Sequence, residues 1–196
     1  MNTPTTQLKD LIHVEKGIIP PELCDACVND IKRRTEWQAH KWYSNDSGQV
    51  SLDDKSRKEL DILFAGRELD NKFLPIIFEV GSIYNEKFAW DSPLTSEIIS
   101  TTTILRFNRY REGEEMFQHM DHIHSLFEGE RRGIPVLSFI LNFNDDYEGA
   151  DLYFWNDTVV SLGKGDIIVW PSLFLFPHAV SKCTKGTRYS AVTWAW

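Results

Sequence analysis

Five short runs decide the architecture of this chain: TTTILRFNRY (101–110), PVLSFILNF (135–143), DLYFW (151–155), DIIVW (166–170) and TRYSAVTWAW (187–196). Each is dense in β-branched and aromatic residues, which suit a pleated, half-buried surface, so each reads as a strand. Turn residues separate them, as in Asn144-Asp145-Asp146 with Glu148-Gly149, and Gly163-Lys164-Gly165-Asp166. A helix-length insertion occurs only in the polar stretch after Asp121. Parallel winding needs a crossover helix between successive strands, so the pattern predicts an antiparallel sandwich or jelly roll, mainly β with flanking helices.

Working outward, the period changes upstream. Pro20-Pro21-Glu22 opens a helix that carries Leu23, Cys27 and Ile31 at helical spacing and is expected to end near Thr35. A second helix is expected over residues 70–88, where Phe73, Ile76, Ile77, Val80 and Ile83 form one apolar stripe. The two helices are expected to cover one outer sheet face. Residues 43–58, YSNDSGQVSLDDKSRK, are polar and weakly periodic and read as a mobile loop or edge hairpin. No repeat or linker divides the chain, which is expected to form one domain over 1–196. Its helical support region covers about 1–100 and its jelly-roll core about 101–196.

At 196 residues such a domain buries roughly 70% of its chain surface without disulfides. The 21 Lys and Arg against 29 Asp and Glu leave a net charge of −8, which gives no electrostatic reason to hold nucleic acid. Apolar runs such as 167–170 and 173–176 fall far short of the roughly 20 residues of a membrane helix. The first residues, MNTPTTQLKDLIHVEKG, lack the basic-then-apolar pattern of an export signal. Three cysteines cannot all pair with one another. Cys24 and Cys27 form a C-x-x-C inside a helical stretch with no second pair to complete a zinc site, so they read as buried helical thiols. A reduced, cytoplasmic protein is expected.

The densest group of histidines is QHMDHIH (118–124). In an extended strand His119 and Asp121 share one face, while His122 and His124 share the other. His-x-Asp needs one distant histidine to become a 2-His-1-carboxylate triad, which suits Fe(II) with open positions, and His178 can supply it. Ten residues later comes Arg188, on the same strand face as Ser190, Val192 and Trp194. An inward guanidinium among apolar neighbours needs an anion, and a bound dicarboxylate is one source. A salt bridge to an acidic residue is the alternative.

Three ordered stretches, RYREGEEMFQHMDH (109–122), LSFILNFNDDYEGADLYFW (137–155) and GDIIVWPSLFLFPHAVSKCTKGTRYSAVTW (165–194), carry a resemblance. Over about 101–196 the chain resembles the catalytic core of the 2-oxoglutarate and Fe(II)-dependent dioxygenases, in particular the prolyl 4-hydroxylase-like branch. The resemblance implies that His119, Asp121 and His178 hold the iron and that Arg188 binds the distal carboxylate of 2-oxoglutarate. It also implies that Tyr110 lines the 2-oxoglutarate pocket and that Ser190 is the hydroxyl of an R-x-S pair. Many prolyl 4-hydroxylases carry Lys where this chain has Arg188; a planar guanidinium grips a carboxylate in two hydrogen bonds, so the role survives. A second departure is Glu148-Gly149-Ala150-Asp151, where the family usually has Gly-Gly, and Ala150 is expected to keep a negative φ.

The implied activity couples oxidative decarboxylation of 2-oxoglutarate to hydroxylation of a C–H bond, with Fe(II), 2-oxoglutarate and O2, and ascorbate as an optional addition. A prolyl or other peptidyl substrate is the first expectation, with no nucleic-acid or membrane partner. A free amino acid or other small molecule stays open. Residues 122–133, with Arg131 and Arg132, and residues 43–58 are candidate substrate-gating loops. Two other readings also stay open. His122, His124 and Glu128 resemble the first metal motif of cupins, and a jelly roll without iron would be a non-catalytic binding module. Exposed aromatics such as Trp155 are candidates for a dimer contact.

Overall fold

The computed structural model describes residues 7–44, 48–50, 58–88, 99–121 and 134–196. In chain order the first half contains β1 (His13–Glu15), α1 (Pro21–Lys32), β2 (Gln38–Ala39), β3 (Trp42–Ser44), β4 (Gly48–Val50), β5 (Lys58–Glu59), β6 (Asp61–Leu63) and α2 (Arg67–Phe88). The second half begins with β7 (Arg106–Arg111), β8 (Glu114–His119), β9 (Leu137–Asn142), β10 (Tyr147–Gly149) and β11 (Leu152–Phe154). It ends with β12 (Thr158–Val160), β13 (Ile167–Pro171), β14 (His178–Val180) and β15 (Cys183–Ala195).

Two sheets face one another. The larger runs β1-β13-β9-β15-β7-β6-β2, with β10 also on β15; the smaller runs β12-β11-β14-β8-β5. Pairing is antiparallel except between β5 and β8. This is the jelly roll expected from the alternating runs. The alternation sorts each strand of the larger sheet into two faces. Phe107, Phe139, Leu141, Ile167, Val169 and Ala191 point outward and meet Cys24, Cys27 and Ile31 of α1 and Phe73, Ile77 and Val80 of α2. Tyr110, Ile140, Ile168, Trp170 and Val192 point between the sheets and meet Met116, Leu152, Phe154 and Val180. The helices therefore cover one sheet face, and the cavity lies on the other.

Both helices start on local chemistry. Pro21 sits at the first turn of α1, where a missing N–H costs nothing. The helix stops at Lys32, short of Thr35, because the Arg33 and Arg34 amides turn back onto the carbonyls of Asp30 and Ile31. α2 begins three residues before the expected 70. Its buried Asp70 accepts a hydrogen bond from the Leu105 amide at 2.8 Å, tying the helix to the entry of β7.

The first half is more than helical support. β1 extends the larger sheet beside β13, β6 pairs with β7, and β5 lies against β8. These strands are two or three residues long, too short for an alternation to register. Within residues 43–58, β3 and β4 form the edge hairpin, and the remainder lies outside the described residues except for β5. Cys24, Cys27 and Cys183 are buried free thiols. Among the described residues no helix is long and apolar enough to cross a membrane.

Phe139 is fully buried at the centre of the helix-covered face. Phe139→Ala is expected to cost about 3–5 kcal/mol, the usual range for a large cavity, measured as a shift in the urea unfolding midpoint at unchanged slope.

Candidate metal centre

His119 ends β8, His178 begins β14, and the two are direct cross-strand partners. Their rings lie 4.3 Å apart between centroids. His119 Nδ1 lies 2.8 Å from the Phe117 carbonyl oxygen, and His178 Nδ1 lies 2.9 Å from that of Phe176. A carbonyl can only accept, so in each ring Nδ1 carries the proton and Nε2 keeps a bare lone pair. Asp121, two residues beyond β8, brings Oδ1 to 3.5 Å from His119 Nε2 and Oδ2 to 3.6 Å from His178 Nε2. Asp121 Oδ2 is buried and accepts no hydrogen bond.

Three ligand atoms thus lie within 4.8 Å of one another, and among the described residues they are the single group of this kind. Two neutral imidazoles and one carboxylate with an orphaned oxygen are the donor set of a 2-His-1-carboxylate site for a divalent ion such as Fe(II). The electrostatics agree. Burial pushes the His178 imidazolium down to about 4, which leaves the ring neutral and ready to ligate at neutral pH. Burial alone would raise the Asp121 carboxyl, but its electrostatic coupling to the two imidazoles, His178 first, holds it below the usual carboxylate range.

The rings are held from behind. Trp170 meets His178 edge-on at 4.9 Å and Trp42 meets His119 at 5.1 Å. Glu59 accepts the Phe117 amide at 3.2 Å, at the residue whose carbonyl orients His119. Its other oxygen takes the His40 Nδ1–H at 2.7 Å. Such outer contacts fix the orientation of the ligands.

Arg188 lies deeper, 1% exposed, on β15 opposite Tyr110. Its Nε donates to Asn142 Oδ1 at 2.9 Å and its Nη1 to the Ala150 carbonyl at 2.8 Å. Asn142 Nδ2 is in turn bonded to the carbonyls of Asn144 and Gly163, which obliges its oxygen to face the guanidinium. Among the described residues no carboxylate pairs with Arg188, so the salt-bridge alternative has no partner there. Tyr110 and Tyr147 stack near the guanidinium at 5.6 and 6.0 Å. Burial pushes the Tyr110 phenol up to about 12. Ser190 is buried two residues along β15 from Arg188, in register with Asn108 and Asn142.

Ala150 departs from expectation. Its φ is +50°, following Gly149 at +72°, so an alanine occupies the left-handed region. Between β10 and β11 that turn aims the Ala150 carbonyl at Arg188, and the buried hydrogen bond offsets the roughly 1–2 kcal/mol of strain. Trp155 also differs. It is half-buried, donates Nε1–H to the Leu175 carbonyl at 3.0 Å and packs on Phe154 and Phe176, so it is a packed side chain and not an exposed aromatic.

The cavity at this site is lined by the three candidate ligands and by Arg106, Asn108, Tyr110, Trp170 and Trp194, among others. A second cavity, on the Arg188 side, shares Leu152 as its wall. Arg106, Asn142, Glu59 and Trp42 belong to the site and escape the sequence reading. For Arg106 a signal exists: counting the pleat back from Tyr110 in RFNRY puts Arg106 on the inner face. His122, His124, Glu128, Arg131 and Arg132 lie outside the described residues.

A model of the 2OG-Fe(II) oxygenase superfamily matches residues 105–196, the stretch that holds all of these ligands. Over that stretch, a little under half of its length, the chain is similar to the 2OG-Fe(II) oxygenase superfamily. A PKHD-type hydroxylase of Acinetobacter baumannii is 34% identical over 117 residues, 55% of this chain and 50% of that protein. One of Idiomarina loihiensis is 38% identical over 92 residues, 44% of this chain and 39% of that protein. The chain thus matches half or less of the length of these curated relatives. A Pseudomonas putida prolyl-4-hydroxylase superposes with a TM-score of 0.64 at 17% identity, covering 94% of this chain and 91% of that one. A Trichoplax adhaerens prolyl hydroxylase, solved with a peptide fragment of hypoxia inducible factor, gives 0.67 at 13%, covering 95% and 83%. At these identities the likeness to the solved structures is one of fold.

The buried His40 has its imidazolium lowered from the ordinary value, first by burial. Below pH about 6.5 the unfolded chain takes up a proton that the folded His40 refuses, so stability falls as pH falls. Thermal melts of the metal-free protein between pH 7 and 5 are expected to show this decline, with a shallower slope in His40→Gln.

Proposed function

We propose that this chain is a non-haem Fe(II) hydroxylase that consumes 2-oxoglutarate and O2, with a prolyl or other peptidyl residue as its first substrate class. One observation carries the reading: two imidazoles whose protons are committed to backbone carbonyls, and a carboxylate oxygen with no donor, converge within 4.8 Å in the same sheet interior as a buried guanidinium with no acidic partner among the described residues.

His119, Asp121 and His178 hold the ion. Together with 2-oxoglutarate and O2, bound iron supplies the oxidising power that replaces C–H by C–OH, while 2-oxoglutarate becomes succinate and CO2. The protein supplies position and a dry site. Arg188 takes the distal carboxylate of 2-oxoglutarate, its plane fixed in advance by Asn142 and the Ala150 carbonyl. Tyr110, kept protonated by burial, donates its phenol proton toward the same carboxylate. Ser190 offers a hydroxyl one pleat away. Trp170, Ile140 and Val192 wall the cavity with apolar surface and exclude water. The hydroxylase names of the PKHD-type relatives, and the peptide bound to the Trichoplax enzyme, support a hydroxylase of peptidyl residues.

Anaerobic addition of Fe(II) and then 2-oxoglutarate is expected to raise a visible metal-to-ligand charge-transfer band. Asp121→Ala is expected to lose the band. Arg188→Ala is expected to raise the 2-oxoglutarate concentration at half-saturation by about 10- to 100-fold, the equivalent of about 1.5–3 kcal/mol for hydrogen bonds to a charged group. No band in the wild type, or an unchanged affinity in Arg188→Ala, refutes the assignment. Mass spectrometry of proline-containing peptides for one added oxygen then tests the substrate class.

A further inference from the structure

Arg106 is a charged side chain for which the reaction above has no use. It lies on the inner face of β7, opposite Val192, and lines the metal cavity with His119, Asp121 and His178. Its guanidinium stacks 5.3 Å over the Trp194 ring. Its Nε is buried and without a hydrogen-bond partner. Among the described residues no carboxylate lies within ion-pair distance of it. The acidic groups whose charge it feels are Asp121 and Glu59. Both are engaged elsewhere, Asp121 at the metal and Glu59 with His40 and the Phe117 amide.

A guanidinium has five N–H donors, and one that lines a cavity with its Nε buried and donates to none of the described residues is free to meet a ligand. Arg188 and Arg106 divide the interior between them. Arg188 is fully buried and already donates two hydrogen bonds to protein oxygens, whereas Arg106 is half-buried, lines the same cavity as His119, Asp121 and His178, and donates none among the described residues. On β7 the residue opposite Arg188 is Tyr110, four positions from Arg106, or about 13 Å along the strand. A molecule that enters first and reaches Arg188 occupies the deep end. One that follows it meets Arg106 in the cavity that His119, Asp121 and His178 line.

We propose that Arg106 is a specificity-determining residue that binds a carboxylate of the substrate, so that the molecule hydroxylated here carries a carboxylate near its reacting carbon. The proposal rests on the function proposed above and narrows it, because an internal prolyl residue in a neutral peptide offers no such group. A chain terminus, an acidic neighbour in the peptide and a free amino acid share this chemistry. Trp194 orients the guanidinium plane, and the planar fork favours a bidentate carboxylate.

The test uses the full chain under nitrogen, loaded with Fe(II) and saturated with 2-oxoglutarate. N-acetyl amino acids, N-acetylproline included, are compared with their primary amides, and dipeptides with acidic residues with their amidated forms, by isothermal titration and by perturbation of the visible band. Wild type is expected to bind the best acid at least tenfold more tightly than its amide. Arg106→Gln is expected to bring that ratio within twofold and to leave 2-oxoglutarate half-saturation within twofold, while Arg106→Lys keeps a preference for the acid. The variants' own bands report that the site has folded.

A wild type with no acid preference anywhere in the panel overturns the proposal, as does a preference that survives in Arg106→Gln. A tenfold loss of 2-oxoglutarate affinity in Arg106→Gln with the acid preference intact also overturns it and makes the carboxylate the cosubstrate's. If the wild type gives no band, the proposed function fails instead. The same acid and amide pairs titrated onto the Zn(II)-loaded protein then still read Arg106 by itself.

Discussion

The register between β8 and β14 sets His178 directly opposite His119, and the rest of the site depends on that pairing. Side chains alternate along a strand, so a slip of one residue in either strand would send one imidazole out of the interior. The register is held at a distance as well as locally. Phe154 opposite His178 and Leu152 opposite Val180 fix β14 from its other side, and β5 fixes β8. The backbone carbonyls of Phe117 and Phe176 then set the ring tautomers. Two residues past the end of β8, the chain folds Asp121 back toward both rings. The convergence of the three candidate ligands is thus a property of strand pairing, and neither strand carries it alone.

A sheet interior that holds two guanidinium groups, a carboxylate and two imidazoles is a costly place to keep charge. The protein partly satisfies one of the two guanidinium groups. Arg188 is met by an amide oxygen and by a carbonyl that an alanine in left-handed geometry directs toward it. These are dipoles and not counter-charges, so the positive charge persists. Polar partners that orient a charge without cancelling it are what a ligand site needs, because a salt bridge would compete with the ligand. Stability comes from the opposite face of the larger sheet, where α1 and α2 close a separate apolar layer that contains no part of the site.

Much of this was legible in the sequence. The five β-rich runs, their turn residues and the absence of crossover helices are local patterns, and they led to the jelly roll and to the two covering helices. His119, Asp121, His178 and the inward Arg188 followed from pleat counting and from a resemblance spread over three stretches. The strands β1, β2, β5 and β6 were not legible, because two or three residues hold no measurable alternation and exist as strands through the neighbours they pair with. The left-handed conformation of Ala150 was not legible for a related reason. Its side chain disfavours the left-handed region, and the hydrogen bond that holds it there comes from Arg188, thirty-eight residues away in the chain.

The sequence by itself determined which residues can face which side: alternation makes Arg106, Asn108 and Tyr110 one row and Arg188, Ser190, Val192 and Trp194 another, whatever the fold. The tertiary structure alone decided which rows meet. It joined β15 to β7 and to β9, bringing Asn142 to Arg188, and it set Glu59 behind His119 from a segment more than fifty residues upstream. It also left Arg106 without an acidic partner among the described residues. Having a partner or not is a relation between distant side chains, set when the two sheets close, and no local pattern encodes it.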